Sequence, residues 1–156
     1  MIVRWEQGRT VIDALLRQGR LTRVAPNRAL ADSMLIQARA HLAAAVMVIG
    51  LDPQGAFTLT YDAARKALSA ILVNQGLRAG GQGAHAALLE AVLAQLDPPL
   101  GNVFQAYSWM RPLRNHTEYP QPDRPTAQAA DVIEAQPSTA GMIDAAERLL
   151  DQMPVY

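Results

Sequence analysis

The chain of 156 residues contains no cysteine and a single lysine, Lys66. The absence of cysteine excludes disulfide bonds, thiol nucleophiles and cysteine-ligated metal ions. Nearly all of the positive charge is carried by arginine, and the planar guanidinium group suits bidentate contacts with phosphate better than an ammonium group does. The side chains available for chemistry are therefore arginine, histidine, tyrosine and the carboxylates.

The sequence also has no excess of charge of either sign. Fourteen lysine and arginine residues balance fourteen aspartate and glutamate residues, so the formal net charge is zero. A zero net charge argues against non-specific adhesion to nucleic acid or to an acidic membrane, although it permits a local basic site. Half of the residues are hydrophobic, and a domain of about 150 residues can bury about 70% of the surface of its unfolded chain.

Long hydrophobic segments are absent as well. The first residues, MIVRWEQGR, lack the apolar core of a signal peptide. The longest apolar run, 42–51, is far shorter than the roughly 20 residues that a membrane-spanning helix needs. The three histidines lie far apart in the sequence and none belongs to an HExxH pattern, so the sequence predicts no metal site. We expect a cytoplasmic protein that does not enter a membrane and needs no cofactor.

What the sequence does contain is helical periodicity along most of its length. Apolar residues recur three and four positions apart, and glycine or proline ends each run. The predicted helices cover approximately residues 11–18, 28–49, 53–74, 84–96, 101–118, 126–135 and 138–152. Pro112 is expected to kink or split the fifth of these helices. No long segment alternates in the way that predicts a β-strand.

This pattern predicts an all-α fold, an up-and-down four-helix bundle with additional helices at both ends. We expect residues 1–156 to form a single helical domain. Within it, residues 27–120 would form the bundle core and residues 121–156 a C-terminal helical extension. The glycine-rich segment 76–85 follows a predicted helix and lacks the lysine–serine pair of a phosphate-binding loop, so we interpret it as a connection between helices.

Two histidines have both a functional and a structural interpretation. His85 begins the helix after the glycine-rich segment, where it can act as a base or contact a phosphate at a helix N-terminus. The alternative, which the sequence alone favours, is packing against the preceding loop. His41 shares a helical face with Ser33 and Gln37. That polar stripe either lines a cleft or faces solvent, and the solvated face is the favoured interpretation.

The segment WMRPLRNHTEYP, residues 109–120, is the densest polar cluster in the chain. Positions 111, 114, 115 and 118 are spaced i, i+3, i+4 and i+7, which places them on one helical stripe. Two guanidinium groups beside an amide can grip a phosphate and stabilise the charge that develops during phosphodiester cleavage. The candidate catalytic residues are Arg111, Arg114, Asn115, His116, Glu118 and Tyr119. The alternative is an arginine–glutamate network that only stabilises the end of the bundle.

The order of these features resembles the HEPN superfamily, small all-α bundles often found as the toxin of bacterial toxin–antitoxin pairs. The resemblance spans about residues 27–120. It is carried by the segments RAHLAAAVMV, YDAARKALSAILVNQGLRAGG, GAHAALLEAV and MRPLRNHTEYP. It implies a homodimer in which two copies of an arginine–histidine motif meet and cut RNA without a metal ion.

The motif can be placed in two registers. In catalytic HEPN proteins an arginine, commonly followed by a polar residue, precedes a histidine by four to six residues. Arg111 with His116 satisfies that spacing, although five residues on an ideal helix turn through about 140°. Arg114 with Asn115 matches the arginine–polar pair, and the histidine position then falls on Tyr119 or Pro120. The second register is similar to a HEPN subgroup with a variant motif.

The resemblance leads to two functional hypotheses. In the first, the chain is a toxin-like endoribonuclease in which the arginines hold the scissile phosphate, His116 or Tyr119 transfers a proton, and Asn115 positions the backbone or an arginine. In the second, it is a noncatalytic HEPN module that binds a nucleotide or a protein partner. The resemblance implies a nucleotidyltransferase antitoxin as that partner, with Tyr119 as the residue it modifies. A purely structural helical protein is the third interpretation.

Overall fold

The structure, a computed structural model, describes residues 5–156, and these residues are predominantly helical, in agreement with the predicted all-α class. The elements in chain order are α1 (Arg9–Arg17), β1 (Leu21–Arg23), α2 (Arg28–Val48), α3 (Pro53–Gln75), β2 (Leu77–Ala79), α4 (Ala84–Leu96), α5 (Gly101–Phe104), α6 (Tyr107–Glu118) and α7 (Ala129–Leu150). Within these described residues no helix is long and apolar enough to cross a membrane.

The ends of the two long N-terminal helices follow directly from local sequence. The Asn27 side chain accepts a hydrogen bond from the backbone N–H of Leu30 at 2.8 Å and so caps α2. Asp52 caps α3 in the same way, and proline occupies the first turn of that helix, where its missing N–H costs nothing. Gly76 ends α3 with φ of 84°, a left-handed conformation that glycine adopts without steric cost. The predicted bounds of both helices are confirmed to within a residue or two.

Helix α3 lies at the centre of the molecule and contacts α2, α4, α6 and α7. Its buried face includes Phe57, Leu68 and Ile71, and full burial of such a side chain contributes about 1.5–3 kcal/mol. Met142 and Ile143 of α7 are fully buried in the same hydrophobic cluster. The segment 121–156, predicted as an extension, therefore supplies a helix that packs directly on the central helix.

The C-terminal segment forms one helix where the sequence predicted two. Helix α7 runs unbroken from Ala129 to Leu150 and passes through Pro137, which is exposed. Gln128 and Asp131 form its capping box, so Ser138 and Thr139, at the start of the predicted helix 138–152, lie inside it. The buried face continues at helical spacing on both sides of Pro137, and its burial outweighs the cost of about 3 kcal/mol that proline imposes on a helix interior.

The predicted helix 101–118 is divided, but not at Pro112. The break falls at 105–106, between α5 and α6, and α6 continues through Pro112. Phe104, Tyr107 and Met110 are fully buried at a spacing of three residues. Backbone hydrogen bonds of the i, i+3 type at 105–108 and 106–109 tighten the turn, and a period of three residues keeps all three side chains facing the core.

A two-stranded antiparallel sheet is the element that the sequence did not predict. Strand β1 pairs with β2 in the register Leu21 with Ala79, Thr22 with Arg78 and Arg23 with Leu77. Each strand has three residues, too few for an alternating pattern to be recognised in the sequence. The pairing anchors the chain after α3 and fixes the place from which the glycine-rich segment leads into α4.

Candidate active site

Side chains from three helices meet in one hydrogen-bonded cluster. The Tyr61 hydroxyl, on α3, lies 2.7 Å from Nδ1 of His85 on α4 and 2.8 Å from the Tyr107 hydroxyl on α6. The two tyrosine rings are stacked with their centroids 5.3 Å apart. The Arg114 guanidinium, also from α6, lies over the Tyr61 ring at 5.7 Å, a cation–π geometry. Segments far apart in the sequence are therefore joined at one place.

The direction of these hydrogen bonds follows from burial. Tyr107 is 0% exposed, and its hydroxyl has Tyr61 as its hydrogen-bond partner among the described residues. Leaving the Tyr107 proton unbonded costs about 1–3 kcal/mol, so Tyr107 donates to Tyr61. Tyr61 then donates its own proton to Nδ1 of His85, which must be unprotonated at that nitrogen. The neutral His85 ring consequently carries its proton on Nε2.

Electrostatics around the cluster favours neutral side chains. Burial lowers the pKa of His85 below its ordinary value, and the positive charges of Arg65, Arg114 and Arg111 lower that pKa further, against the opposing effect of Asp62. The pKa of Tyr61 is raised, chiefly by burial, although the same arginines oppose the rise. Burial also raises the pKa of Tyr107. Near neutral pH the hydrogen-bond chain is therefore uncharged and is surrounded by guanidinium groups.

Arg114 is only weakly engaged by protein acceptors. Its closest carboxylate is Glu118 at 3.8 Å, and its contact with the Asn115 side-chain oxygen is 3.5 Å long, the limit of a useful hydrogen bond. Its Nε atom is buried and has no hydrogen-bond partner among the described residues. The structural interpretation requires a network of arginine–glutamate contacts, whereas Arg114 has one long ion pair.

A second charged group adjoins the cluster one residue along α3. Asp62 accepts hydrogen bonds from Arg65 at 2.6 Å and 3.0 Å, and its other oxygen lies 3.0 Å from Lys66 and 3.2 Å from His41. Although burial opposes the effect, the hydrogen bonds from Arg65 and Lys66 lower the pKa of Asp62. Asp62 therefore stays ionised and holds Arg65 beside the cluster. His41, which the sequence placed on a solvated face, is partly buried in this group.

The structure places only some of the six candidate residues near the cluster. Arg114 contacts the cluster, and Arg111 is close enough to affect the pKa values of Tyr61 and His85. The contact made by His116 is instead with Arg124, at 3.0 Å, in the loop that follows α6. Tyr119 ends α6 and is 72% exposed. Asn115 and Glu118 flank Arg114 through the long contacts described above.

The hydroxyl partners of this site were not among the predicted site residues. Tyr61 and Arg65 lie four residues apart on α3, and Tyr107 precedes Arg114 by two helical turns. Helical spacing places each pair on one face, which is a signal for a shared site. Nothing in the spacing shows that the face of α3 meets the face of α6, or that the start of α4 meets both.

The side chains of the cluster are able to transfer protons and to bind an anion. Within residues 5–156 no group of histidine and carboxylate side chains is arranged to hold a metal ion. Comparisons of the chain with protein-family models, with curated proteins and with solved structures gave no significant match. The function is therefore argued from the residues themselves.

Proposed function

We propose that the chain is a HEPN-type endoribonuclease, toxin-like and independent of metal ions, whose α6 arginines hold the scissile phosphate. The observation that carries the proposal is the weak engagement of the Arg114 guanidinium, whose acceptors among the described residues lie 3.5 Å and 3.8 Å away and whose buried Nε atom has none. A buried donor without an acceptor is costly. A phosphate oxygen is the kind of acceptor that a guanidinium group binds in a bidentate, charge-assisted manner.

The polar groups around Arg114 fit a phosphodiester better than a neutral ligand. Arg65, Arg111 and Arg114 supply only hydrogen-bond donors and positive charge, and all three act on the His85 ring. Fixed donors directed at developing negative charge are the main source of catalysis in metal-free phosphoryl chemistry. In the motif register of the HEPN superfamily, His116 or Tyr119 would transfer protons, and the helices would form the superfamily's up-and-down four-helix arrangement.

A homodimer belongs to this proposal, and the exposed face of α2 favours it. Ile36, Ala40, Ala43 and Met47 are exposed at spacings of four, three and four residues, with Met47 84% exposed. Exposed apolar stripes of this kind mark contacts with other proteins. An antiparallel second copy would place Ile36 against Met47 and Ala40 against Ala43. The stripe is therefore complementary to itself and carries no charge that a second copy would oppose.

The ribonuclease proposal is tested with purified protein, a mixed RNA substrate and EDTA. We expect wild type to cut RNA, and Arg114→Gln to lower the rate by about 100-fold or more, as removal of a transition-state donor does. Arg111→Gln is expected to act in the same direction. Arg17→Gln, an exposed arginine in the last turn of α1, is the matched control. If wild type leaves RNA intact, or both α6 variants cut as fast as wild type, the proposal is wrong.

The second candidate is a noncatalytic HEPN module that binds a nucleotide or a nucleotidyltransferase antitoxin. The specific observation in its favour is the exposure of Tyr119, whose hydroxyl is accessible to a modifying enzyme at the end of α6. Co-expression with a nucleotidyltransferase encoded beside the gene, followed by peptide mass spectrometry, tests this candidate. A nucleotidyl adduct on the Tyr119 peptide supports it, and an unmodified peptide removes it.

A further inference from the structure

We propose that His85 is the proton donor of this site, a role that the motif in α6 would give to His116 or Tyr119. The inference rests on the proposed ribonuclease function and adds a residue from a different helix. Three observations carry it: the 2.7 Å contact between Nδ1 of His85 and the Tyr61 hydroxyl, the complete burial of Tyr107, and the arginines around the ring.

The hydrogen-bond chain determines which nitrogen of the partly buried His85 ring carries the proton. Tyr107 donates to Tyr61, and Tyr61 donates to Nδ1 of His85, so the remaining ring nitrogen, Nε2, carries the proton of the neutral ring. Reversing the chain would leave the fully buried Tyr107 proton without an acceptor. The fold therefore fixes which ring nitrogen can serve a substrate, and it assigns that nitrogen the role of donor.

The charged groups that face His85 come from two helices. Arg65 and Asp62 belong to α3, and Arg111 and Arg114 belong to α6. Three cations against one carboxylate disfavour a positively charged ring. The ring also lies in the first turn of α4, where the positive end of the helix dipole has the same effect. A protonated ring would donate from both nitrogens and would break the chain at Tyr61, so the neutral form is the working form.

The chemical step is balanced by the groups in this chain and by water. The 2′-oxygen forms a bond to phosphorus as the bond from phosphorus to the 5′-oxygen breaks. His85 gives its Nε2 proton to the leaving 5′-oxygen, and the Tyr61 proton moves to Nδ1. Burial opposes the resulting Tyr61 phenolate, whereas the hydrogen bond from Tyr107 and the positive charge of Arg114 stabilise it until it is reprotonated. The 2′-hydroxyl proton passes to water, and Tyr61 regains a proton from water after the products leave.

His116 is the rival donor, and its surroundings differ from those of His85. Its Nε2 atom lies 3.0 Å from Arg124, so that nitrogen accepts a hydrogen bond from a guanidinium group. Arg124 is exposed in the loop after α6. No tyrosine hydroxyl is bonded to His116 within the part of the chain that the structure describes. The His116 ring therefore lacks the buried proton relay that the His85 ring has.

The kinetic test compares His85 with His116 in the RNA cleavage assay. His85→Asn keeps an oxygen near the Nδ1 position to accept from Tyr61, but it removes the transferable proton. We expect kcat to fall by about 100-fold or more, as for loss of a general acid, with KM within about 3-fold of wild type. Arg17→Gln, at the exposed end of α1, is again the control, and we expect it to cut at the wild-type rate. If His85→Asn keeps the wild-type kcat, or if only His116→Gln loses it, the inference is wrong.

A spectroscopic readout separates proton transfer from a structural role. We expect the 15N shifts of His85 at pH 7 to show a protonated Nε2 and an unprotonated Nδ1. Tyr61→Phe should mix the two tautomers and lower kcat. The wild-type rate should hold through the ordinary pKa of histidine, about 6.5, and fall only at lower pH, because the lowered pKa of His85 delays the ring protonation that breaks the chain. A protonated Nδ1 at pH 7, or a rate that rises in acid, would overturn the inference.

The two proposals fail in different ways. If wild type cuts RNA, and Arg114→Gln abolishes cleavage while His85→Asn does not, the ribonuclease proposal stands and the role of His85 is refuted. If wild type cuts no RNA, there is no leaving oxygen for His85 to protonate, and both proposals are refuted. A loss of activity in both variants, with the control unchanged, supports both.

Discussion

The buried pair formed by Tyr61 and Tyr107 makes a prediction about stability that depends on hydrogen-bond direction. Tyr61→Phe removes the only acceptor available to the buried Tyr107 proton among the described residues. An unsatisfied buried donor costs about 1–3 kcal/mol. Tyr107→Phe leaves the hydrogen bond from Tyr61 to His85 intact and removes only one donor to the Tyr61 oxygen, a loss of about 0.5–1.5 kcal/mol. Tyr61→Phe should therefore be the more destabilising change.

The double variant gives the sharper comparison. When both hydroxyls are removed, no buried proton is left without an acceptor, so the cost should be smaller than the sum of the two single costs. Residues in direct contact commonly show interaction energies of about 0.5–3 kcal/mol in such a cycle. Urea unfolding at pH 7 measures all four proteins, and a change of 2 kcal/mol would move the midpoint by about 1 M at a typical slope.

Two results would refute this reasoning. If Tyr107→Phe is the more destabilising single change, the hydrogen bond runs from Tyr61 to Tyr107, and His85 is protonated on Nδ1. If the two costs are additive, the hydroxyls do not depend on each other, and the chain from Tyr107 to His85 does not exist. Equal slopes of the unfolding curves are needed for the comparison, because a changed slope indicates a change in the unfolded state or in two-state behaviour.

Three further predictions concern packing, association and pH. Gly8 has φ of 78°, and an added Cβ would meet the carbonyl of Ala94, whereas Gly19 has φ of 71° and open space around it. Gly19→Ala should cost about 1–2 kcal/mol of stability from backbone strain alone. Gly8→Ala should cost more in thermal unfolding, because the steric clash adds to the strain. Met47→Glu should convert a homodimer into a monomer in light scattering, because it places a charge on the apolar stripe of α2; an unchanged mass would contradict that interface. The lowered pKa of His85 means that below about pH 6.5 the unfolded chain takes up a proton that the native protein resists. Wild type should thus lose more stability between pH 7 and pH 5 than His85→Asn, as followed by urea unfolding at each pH.

Local signals were enough to predict the main helices. Asn27, Asp52 with Pro53, and Gly76 mark helix ends by mechanisms that involve only neighbouring residues, so they can be read from sequence. Helix α7 shows the limit of that reasoning. Pro137 is a strong local signal for a helix end, but burial of the α7 face against α3 outweighs it. That burial is a tertiary effect and has no local signature.

The candidate site was predictable in part for the same reason. Arg111 and Arg114 are recognisable in the sequence because they share a short segment and a helical face. His85 begins a predicted helix, but the sequence alone favours its packing interpretation, because its partner Tyr61 lies 24 residues earlier in the chain. The ring of Tyr107 is part of the hydrophobic core. Its hydroxyl gains a role only because the faces of α3 and α6 meet.

The geometry of α6 favours a proton donor from another helix. Arg111 and His116 are separated by five residues, and α6 remains helical through Pro112, so the two side chains point about 140° apart. Arg114 and His116 are two residues apart and diverge by about 160° on the same reckoning. Within one chain, a phosphate held by both arginines is therefore turned away from His116. The N-terminus of α4 brings His85 to the same side as the arginines, and it reaches that position through β2 and the glycine-rich segment, whose course the strand pairing fixes.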